Sequence, residues 1–362
     1  MAYTTIAKPS EHFNVVYWAG SSSTTTVTGM GFKPDMLWIR RYDGNGHPVF
    51  NDSTKGIGFN WIPSGNNAND TTNYVASYTS DGFTLTGGEN NSNAASQYYS
   101  AACFKANGGT TSSNGDGSVT STVQANTTAG ISVVAWTGTG ANATIGHGLG
   151  VAPKLILVKS TGLADRGIYG NGGSIVYSDS WTDGGQFAWE GAQAFDDATF
   201  WQDTAPTSTV FSVGSNAKTN PSSGVMIAYV FAEIQGFSKF GHYVGNGSVN
   251  GPTIYCGFRP KYVLVKRWDG TSEDWAVKVS GINAAAKHGS YSSNYGLGGE
   301  LKRTLKYNTD GTSTNCTINI TATGFRPTTT DGKANSDGGK YTYMAFAEMP
   351  IVGTNGTVGL AI

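Results

Sequence analysis

Short apolar runs rich in β-branched and aromatic residues alternate along this chain with turn sequences of Gly, Asn, Asp, Ser and Thr. This spacing is typical of short β-strands joined by turns rather than of helices. Three of the runs, at residues 36–39, 155–158 and 262–265, are unbroken and flanked by charge. A proline lies just before each of them, which suits a strand start because proline lacks the N–H that a sheet interior needs. The three runs predict strands that are covered on both faces or that cross a core.

Three segments of the chain repeat one set of markers. Each has a glycine that is followed by a proline 14, 15 or 15 residues later, and each closes with two phenylalanines 21, 20 or 21 residues apart. The markers are Gly20, Pro34, Phe83 and Phe104; Gly138, Pro153, Phe211 and Phe231; and Gly245, Pro260, Phe325 and Phe346. Because both ends match in all three segments, they indicate an internal repeat. The alignment predicts equivalent buried or half-buried positions for Trp38, Leu157 and Leu264.

The predicted fold class is all-β, with three tandem β-sandwich modules of a jelly-roll-like kind. The copies are much longer than solenoid repeats, so we expect separate small sandwiches in a row. The predicted organisation is a first sandwich at 1–106, a Gly/Ser/Thr/Asn-rich linker at 107–129, a second sandwich at 130–235, a third at 236–350 and a C-terminal arm at 351–362. The first sandwich should hang on a flexible linker, and the other two should be held rigidly together.

Composition and charge narrow the class of function. Hydrophobic residues make up 38% and charged residues 13% of the chain, and 51 residues are glycine. The net charge of −1 argues against a nucleic-acid partner. No apolar run approaches the ~20 residues that span a bilayer, so we expect no membrane insertion. The start lacks the apolar core of a signal peptide, so we expect synthesis and folding in a cytoplasm.

Charge is divided unevenly between the second and third copies. Residues 130–235 contain four Lys/Arg against eight Asp/Glu, whereas residues 237–350 contain thirteen against eight. Two interpretations remain open. An acidic copy beside a basic copy steers subunits together in a homo-oligomer, or the difference is drift of surface charge.

The sequence contains no catalytic motif and no metal-binding spacing. We therefore expect that the protein is not an enzyme and that it has no cofactor and no metal site. One stretch, residues 167–217, has no Lys, Arg or His and interleaves carboxylates with aromatic rings. Such a set suits glycan or cation binding, and two close carboxylates suit glycoside hydrolysis. The other explanation is that the aromatics are core and the acids are turn residues. The candidate contacts are Trp181, Asp183, Trp189, Glu190, Asp196, Asp197 and Trp201.

Several segments resemble a family of bacteriophage virion proteins, known from marine phages and described as tail-fibre-like proteins of unknown function. The resembling segments are residues 32–40, 118–130, 146–154, 231–240 and 343–348, of which Phe32-Lys-Pro-Asp-Met-Leu-Trp-Ile-Arg40 and Tyr343-Met-Ala-Phe-Ala-Glu348 are examples. The resemblance implies location in the virion and other virion proteins as partners. It carries no catalytic residues over to this chain.

We therefore expect an exposed structural component of a phage particle, of the fibre or adhesin type, that contacts host-surface glycans. The alternative is a capsid decoration or cement protein, or a protein that covers the tail. The absence of a trimer-forming coiled coil favours decoration, and the Ser/Thr/Asn/Gly-rich surface favours a fibre. The rival from another class is a polysaccharide depolymerase.

Overall fold

The computed structural model describes residues 4–43, 46–62, 70–160, 174–178, 186–188, 197–269, 275–280, 304–306, 312–313 and 317–350. This part of the chain is built almost entirely of antiparallel strands, as predicted. Its helices are a 3-10 turn at Pro9–Glu11 and one turn of α-helix, α1, at Ala198–Trp201. Within the described ranges, no helix has the length and apolar character needed to cross a membrane.

The N-terminal part of the chain forms a large and a small antiparallel sheet. Its strands are β1 (Phe13–Ala19), β2 (Thr25–Val27), β3 (Met36–Arg41), β4 (Val49–Asp52), β5 (Asn60–Trp61), β6 (Val75–Thr79), β7 (Gly82–Leu85) and β8 (Tyr98–Phe104). The large sheet has the order β1-β8-β3-β4-β5, and the small sheet has the order β2-β7-β6. We call these two sheets the first sandwich.

The middle of the chain forms a second pair of sheets, the middle sandwich. Its strands are β9 (Ser112–Asn114), β10 (Ser121–Asn126), β11 (Ile131–Thr137), β12 (Ala143–Gly146), β13 (Leu155–Ser160), β14 (Ser174–Ser178), β15 (Gln186–Ala188), β16 (Val210–Val213) and β17 (Val225–Phe231). The large sheet has the order β15-β14-β13-β17-β11-β10-β9, and β12 pairs with β16 in the small one.

The C-terminal part of the chain forms the third sandwich. Its strands are β18 (Ser238–Val244), β19 (Ile254–Tyr255), β20 (Phe258–Arg267), β21 (Ala276–Val279), β22 (Thr304–Lys306), β23 (Thr312–Ser313), β24 (Ile318–Thr321), β25 (Gly324–Pro327) and β26 (Lys340–Pro350). The large sheet has the order β18-β26-β20-β21-β22-β23, and the small sheet has the order β19-β25-β24.

The strand orders of the three pairs of sheets correspond. In the first and third sandwiches the opening strand of the large sheet pairs with the last strand, and in the middle sandwich β11, the third strand, pairs with the last strand, β17. In all three sandwiches the opening strand of the small sheet pairs with the strand before the last. This nested pairing is typical of a jelly roll. One departure is that the fourth strand continues beside the third in the large sheet, as β4 does beside β3. The β-sandwich class is confirmed, and the internal repeat stays a prediction that the shared strand order supports.

Each sandwich encloses a core between its large and its small sheet. In the first sandwich this core joins Leu37 and Ile39 of β3 to Phe83 and Leu85 of β7. The middle and third sandwiches have separate cores of the same kind. Side chains alternate between the two faces of a strand, so these residues account for only one face of each large sheet.

The other faces of the three large sheets pack together in one shared core. That core contains Trp38 from β3, Leu157 from β13 and Leu264 from β20. Both faces of β3, β13 and β20 are therefore covered, which explains the unbroken apolar runs in the sequence. The expectation of separate sandwiches in a row is wrong, because the three sandwiches bury one apolar face in common.

The predicted linker at 107–129 differs from the structure, which contains two strands there. Strand β10 pairs with β11 and β9 pairs with β10, so the segment extends the middle sheet. Val123 enters the core of the middle sandwich, while Gln124 is buried against the first sandwich. The polar composition of this segment is typical of a linker. In the structure, however, its polar side chains, such as Gln124, form tertiary hydrogen bonds that fix it in place. The predicted C-terminal arm at 351–362 lies outside the described residues.

Candidate functional site: the junction of the three sandwiches

Three phenylalanines meet where the large sheets face one another. Phe104 ends β8, Phe231 ends β17 and Phe346 lies in β26, and none has exposed surface. Their ring centroids are 5.7 Å (104 to 231), 5.5 Å (104 to 346) and 6.1 Å (231 to 346) apart. The triangle is nearly equilateral, so each sandwich contributes one corresponding phenylalanine to a common point of contact.

The strand register repeats around this triangle. The phenylalanines pair with Met36, Leu155 and Tyr262 respectively. Two residues further along the same faces, Trp38, Leu157 and Leu264 pair with Ala102, Tyr229 and Met344. All three are buried, with 0, 1 and 0% of their surface exposed. The prediction that these three positions are buried is confirmed, and their matching registers support the prediction that they are equivalent.

Aromatic contacts between different sandwiches hold the junction together. The Phe231 ring of the middle sandwich lies 6.0 Å from Trp38 in the first and 6.2 Å from Phe240 in the third. Phe13 of the first sandwich stacks on Phe346 of the third at 4.7 Å. Such pairs are worth about 0.5–1.5 kcal/mol each beyond the area that they bury. The junction therefore resists separation of the sandwiches.

A polar network fastens the first sandwich to the middle one. One carboxyl oxygen of Asp35 accepts hydrogen bonds from the N–H groups of Ala106 (2.8 Å) and Gly108 (2.7 Å), and the other accepts one from the Ser53 hydroxyl (3.1 Å). The Gln124 amide of β10 donates to Ser53 (3.0 Å) and Thr54 (2.8 Å). Burial raises the pKa of Asp35, and the hydrogen bonds partly oppose this rise.

His12 lies where all three sandwiches approach one another. Its Nδ1 is 3.2 Å from the side-chain nitrogen of Asn126 in β10, and its ring is 6.0 Å from that of Phe237. The Asn126 nitrogen donates, so the histidine accepts through an unprotonated Nδ1. Burial, together with the charge of Lys105, lowers the pKa of His12. The neutral His12 ring is thus part of the junction of the three sandwiches.

Three buried asparagines, which the sequence analysis missed, brace the loops that follow the opening strands. They are Asn93, Asn220 and Asn335, all with 0% exposure. Asn220, for example, accepts from the Thr139 N–H at 3.0 Å and donates to the Ala141 carbonyl at 2.5 Å. Each lies eleven residues before the phenylalanine of its sandwich. That constant spacing is the feature of the sequence from which these residues could have been found.

Buried cations occupy a further set of corresponding positions. Arg40, Lys159 and Lys266 are 0, 2 and 0% exposed. They lie two residues after Trp38, Leu157 and Leu264 respectively, on the same face of the strand. The Lys266 ammonium lies 6.0 Å from the centre of the Trp275 ring. Each shared-core face therefore changes from apolar to cationic at one register position.

Comparison with known protein families gives one match. The family model described as a domain of unknown function, DUF7483, matches residues 8–350. The chain belongs to the DUF7483 family. A comparison with curated proteins finds no match, and a comparison with solved structures finds none either. The DUF7483 match runs through all three sandwiches, in agreement with the core that they share.

Most of the glycan-contact candidates in this DUF7483 chain lie outside the described residues, namely Trp181, Asp183, Trp189, Glu190 and Asp196. Asp197 is described, and its carboxyl caps α1 by accepting from the Thr199 N–H at 2.9 Å. Trp201 is 1% exposed and packs 6.3 Å from the Phe211 ring inside the middle sandwich. The structure therefore places Trp201 in the core and Asp197 at a helix start, in structural roles.

The described residues of this DUF7483 chain contain no cluster of metal-ligating side chains. Among the residues that the structure describes, no three His, Cys, Asp or Glu side chains are grouped so that they could hold an ion. Cys103 and Cys256 are free and buried. Burial raises the pKa of Cys256 to about 12, so its thiol stays protonated near neutral pH.

Proposed function

We propose that this chain is a structural protein of a bacteriophage particle, made in the host cytoplasm and exposed in the virion as a component of the fibre or adhesin type. The observation that carries the proposal is the shared aromatic core, which joins three sandwiches into one body. A body locked through buried rings suits a component that must keep its shape outside the cell. The resemblance of its motifs to virion proteins supports the same assignment.

Contact with host glycans belongs to this proposal. The outward faces of the small sheets carry hydroxyl groups, as where Thr26 of β2 and Thr84 of β7 lie 3.2 Å apart. Hydroxyl and carboxyl groups beside aromatic rings hydrogen-bond and stack on sugars. The proposed glycan contacts are the candidates that lie outside the described residues, namely Trp181, Asp183, Trp189, Glu190 and Asp196.

The test has two parts. Gold-labelled antibody against the purified chain should label the tail fibres of particles whose genome encodes it. The chain should also bind lipopolysaccharide or capsular polysaccharide extracted from the host, and Trp189→Ala should weaken this binding at least tenfold. Tyr255→Ala, which removes an aromatic side chain that is 62% exposed in the third sandwich, is the matched control. Particles without label, or a chain that releases reducing sugar ends from the polysaccharide, would contradict the proposal.

Capsid decoration is the second candidate, because one chain brings corresponding phenylalanines of three sandwiches together in a nearly equilateral triangle. Such a chain fits a three-fold position of a shell without forming a trimer first. A decoration protein should be monomeric in solution, should bind shells that lack it, and should label the capsid with gold. A fibre component should instead form homo-oligomers in solution and bind glycan.

A further inference from the structure

A buried carboxyl and a buried phenol from two different sandwiches meet at the junction. Asp52 ends β4 of the first sandwich, and Tyr229 lies in β17 of the middle one; each is 2% exposed. The Tyr229 hydroxyl donates to Oδ2 of Asp52 at 3.0 Å. The backbone N–H of Lys55 donates to Oδ1 at 2.8 Å. The residues of this contact are 177 positions apart in the chain, so it exists only while the two sandwiches are docked.

The surroundings of this contact are mostly aromatic. The rings of Trp61 and Trp38 lie 6.0 and 6.5 Å from the Tyr229 ring. The ammonium group of Lys55, which follows Asp52 on the β4–β5 connection, lies 5.0 Å from the centre of the Phe59 ring.

Two other titratable groups face the contact from neighbouring elements. Tyr78 of β6 donates its hydroxyl to the Asn51 side chain. The carboxyl of Asp35, just before β3, is held by the N–H groups of Ala106 and Gly108. The Asp52 carboxyl, which is 2% exposed, has as its hydrogen-bond donors the Tyr229 hydroxyl and backbone N–H groups of the β4–β5 connection.

We propose that the buried Asp52 carboxyl, at its contact with Tyr229, is a pH-sensitive clamp, which fastens the first sandwich to the middle one more firmly in weak acid than at neutral or alkaline pH. When Asp52 is ionised, docking buries its charge, and these hydrogen-bond donors replace only part of the lost hydration. When Asp52 is protonated, that cost disappears, while the carbonyl oxygen of the acid still accepts the Tyr229 hydroxyl. The clamp is independent of the function proposed above.

The titration of the two groups agrees with this direction. Burial raises the pKa of Asp52 to about 6, against the smaller lowering by the hydrogen bonds from Lys55 and Tyr229. Burial also raises the pKa of Tyr229 well above its usual value, so the phenol remains a donor throughout. The folded chain thus binds a proton more readily than the unfolded chain, whose Asp52 has the ordinary pKa of 3.8. The junction therefore gains stability as the pH falls through 6, and the gain is complete near 4. Between pH 7.5 and pH 5 the gain is about tenfold in the folding equilibrium constant.

The first experiment follows the carboxyl itself in the full chain. Aspartate labelled with ¹³C at Cγ gives one carboxyl signal per residue, and Asp52→Asn identifies the Asp52 signal by its loss. The midpoint of this signal should lie near pH 6. In Tyr229→Phe it should rise further, because the hydroxyl that favours the ionised form is gone. A wild-type midpoint near 4, or a midpoint that Tyr229→Phe leaves unchanged, would overturn the clamp.

The second experiment measures the stability of the junction between the first and middle sandwiches. Hydrogen exchange, corrected for the intrinsic effect of pH, is measured by mass spectrometry on peptides from residues 49–62 and 225–232. The wild-type chain should be protected about tenfold better at pH 5 than at pH 7.5, and Asp52→Asn should be equally protected at both. Asp81→Asn is the matched control, because Asp81 is an exposed carboxylate that accepts from Gly29 and Gly31 within one sandwich. Full pH dependence in Asp52→Asn, or its loss in Asp81→Asn, would refute the proposal.

Discussion

Replacement of Phe231 by alanine is expected to loosen all three sandwiches together. The four rings that surround Phe231 all belong to the other two sandwiches: Trp38 and Phe104 to the first, and Phe240 and Phe346 to the third. Truncation of this side chain therefore removes ring contacts that all run between sandwiches.

The size of the effect follows from burial and from these ring contacts. Phe231 is 0% exposed, so its transfer from water contributes about 1.5–3 kcal/mol. The cavity left behind adds to this loss and brings typical Phe→Ala costs to about 3–5 kcal/mol. Four aromatic neighbours, each worth about 0.5–1.5 kcal/mol, put this position at the upper end of that range. We expect a loss of about 4–5 kcal/mol in the free energy of unfolding.

The assay is equilibrium unfolding in urea, combined with hydrogen exchange of peptides from each sandwich. In Phe231→Ala, peptides from β8 and β26 should lose protection together with those from β17, although the mutation lies in β17 alone. Phe211→Ala is the matched comparison, since Phe211 is 1% exposed but packs in the core of the middle sandwich only. In Phe211→Ala, peptides from the middle sandwich should lose hydrogen-exchange protection before peptides from the other two sandwiches.

The result that would refute the shared-core reasoning is specific. If Phe231→Ala changed exchange only between residues 130 and 232, the sandwiches would be independent folding units. A loss below about 0.5 kcal/mol would show that the four rings do not pack on Phe231 in solution.

Three further predictions concern the buried polar groups. Asn220→Ala removes hydrogen bonds to Thr139 and Ala141, so it should lower the free energy of unfolding in urea by about 1–3 kcal/mol. Asn107 is exposed, and Asn107→Ala should lower that free energy by less than about 0.5 kcal/mol. Gln124→Ala should cost about 1–3 kcal/mol and raise hydrogen exchange around Ser53, whereas the exposed Thr122→Ala on the same strand should not. Burial lowers the pKa of His147, so its contribution to stability is present above pH 6.5 and is lost as the pH falls through the lower folded value. His147→Gln should reduce this acid sensitivity in thermal unfolding at pH 5 and 7.5, and the exposed His242→Gln should leave it unchanged.

The fold class followed from local patterns in the sequence. Apolar runs rich in β-branched residues and turns of Gly, Asn and Asp depend on neighbours along the chain, so they can be read without a structure. The alignment of Trp38, Leu157 and Leu264 was predictable for the same reason, since a repeated pattern places equivalent residues in equivalent strands. The buried asparagines were missed because an asparagine in a loop has the same local pattern whether it is exposed or fully bonded.

Local sequence patterns were sufficient to predict β-sandwiches and three strands that are covered on both faces. The identity of the covering surfaces came from the three-dimensional packing alone. Apolar runs record that a face is buried, but an apolar face packs equally well on a small sheet or on another sandwich, because burial has no directional preference. The choice was made by side chains far apart in sequence, such as Phe104, Phe231 and Phe346 in the core and Asp52 and Tyr229 beside it. Their contacts turn three sandwiches into one body, and pairing with β11 makes a segment with the composition of a linker into two strands of the middle sheet.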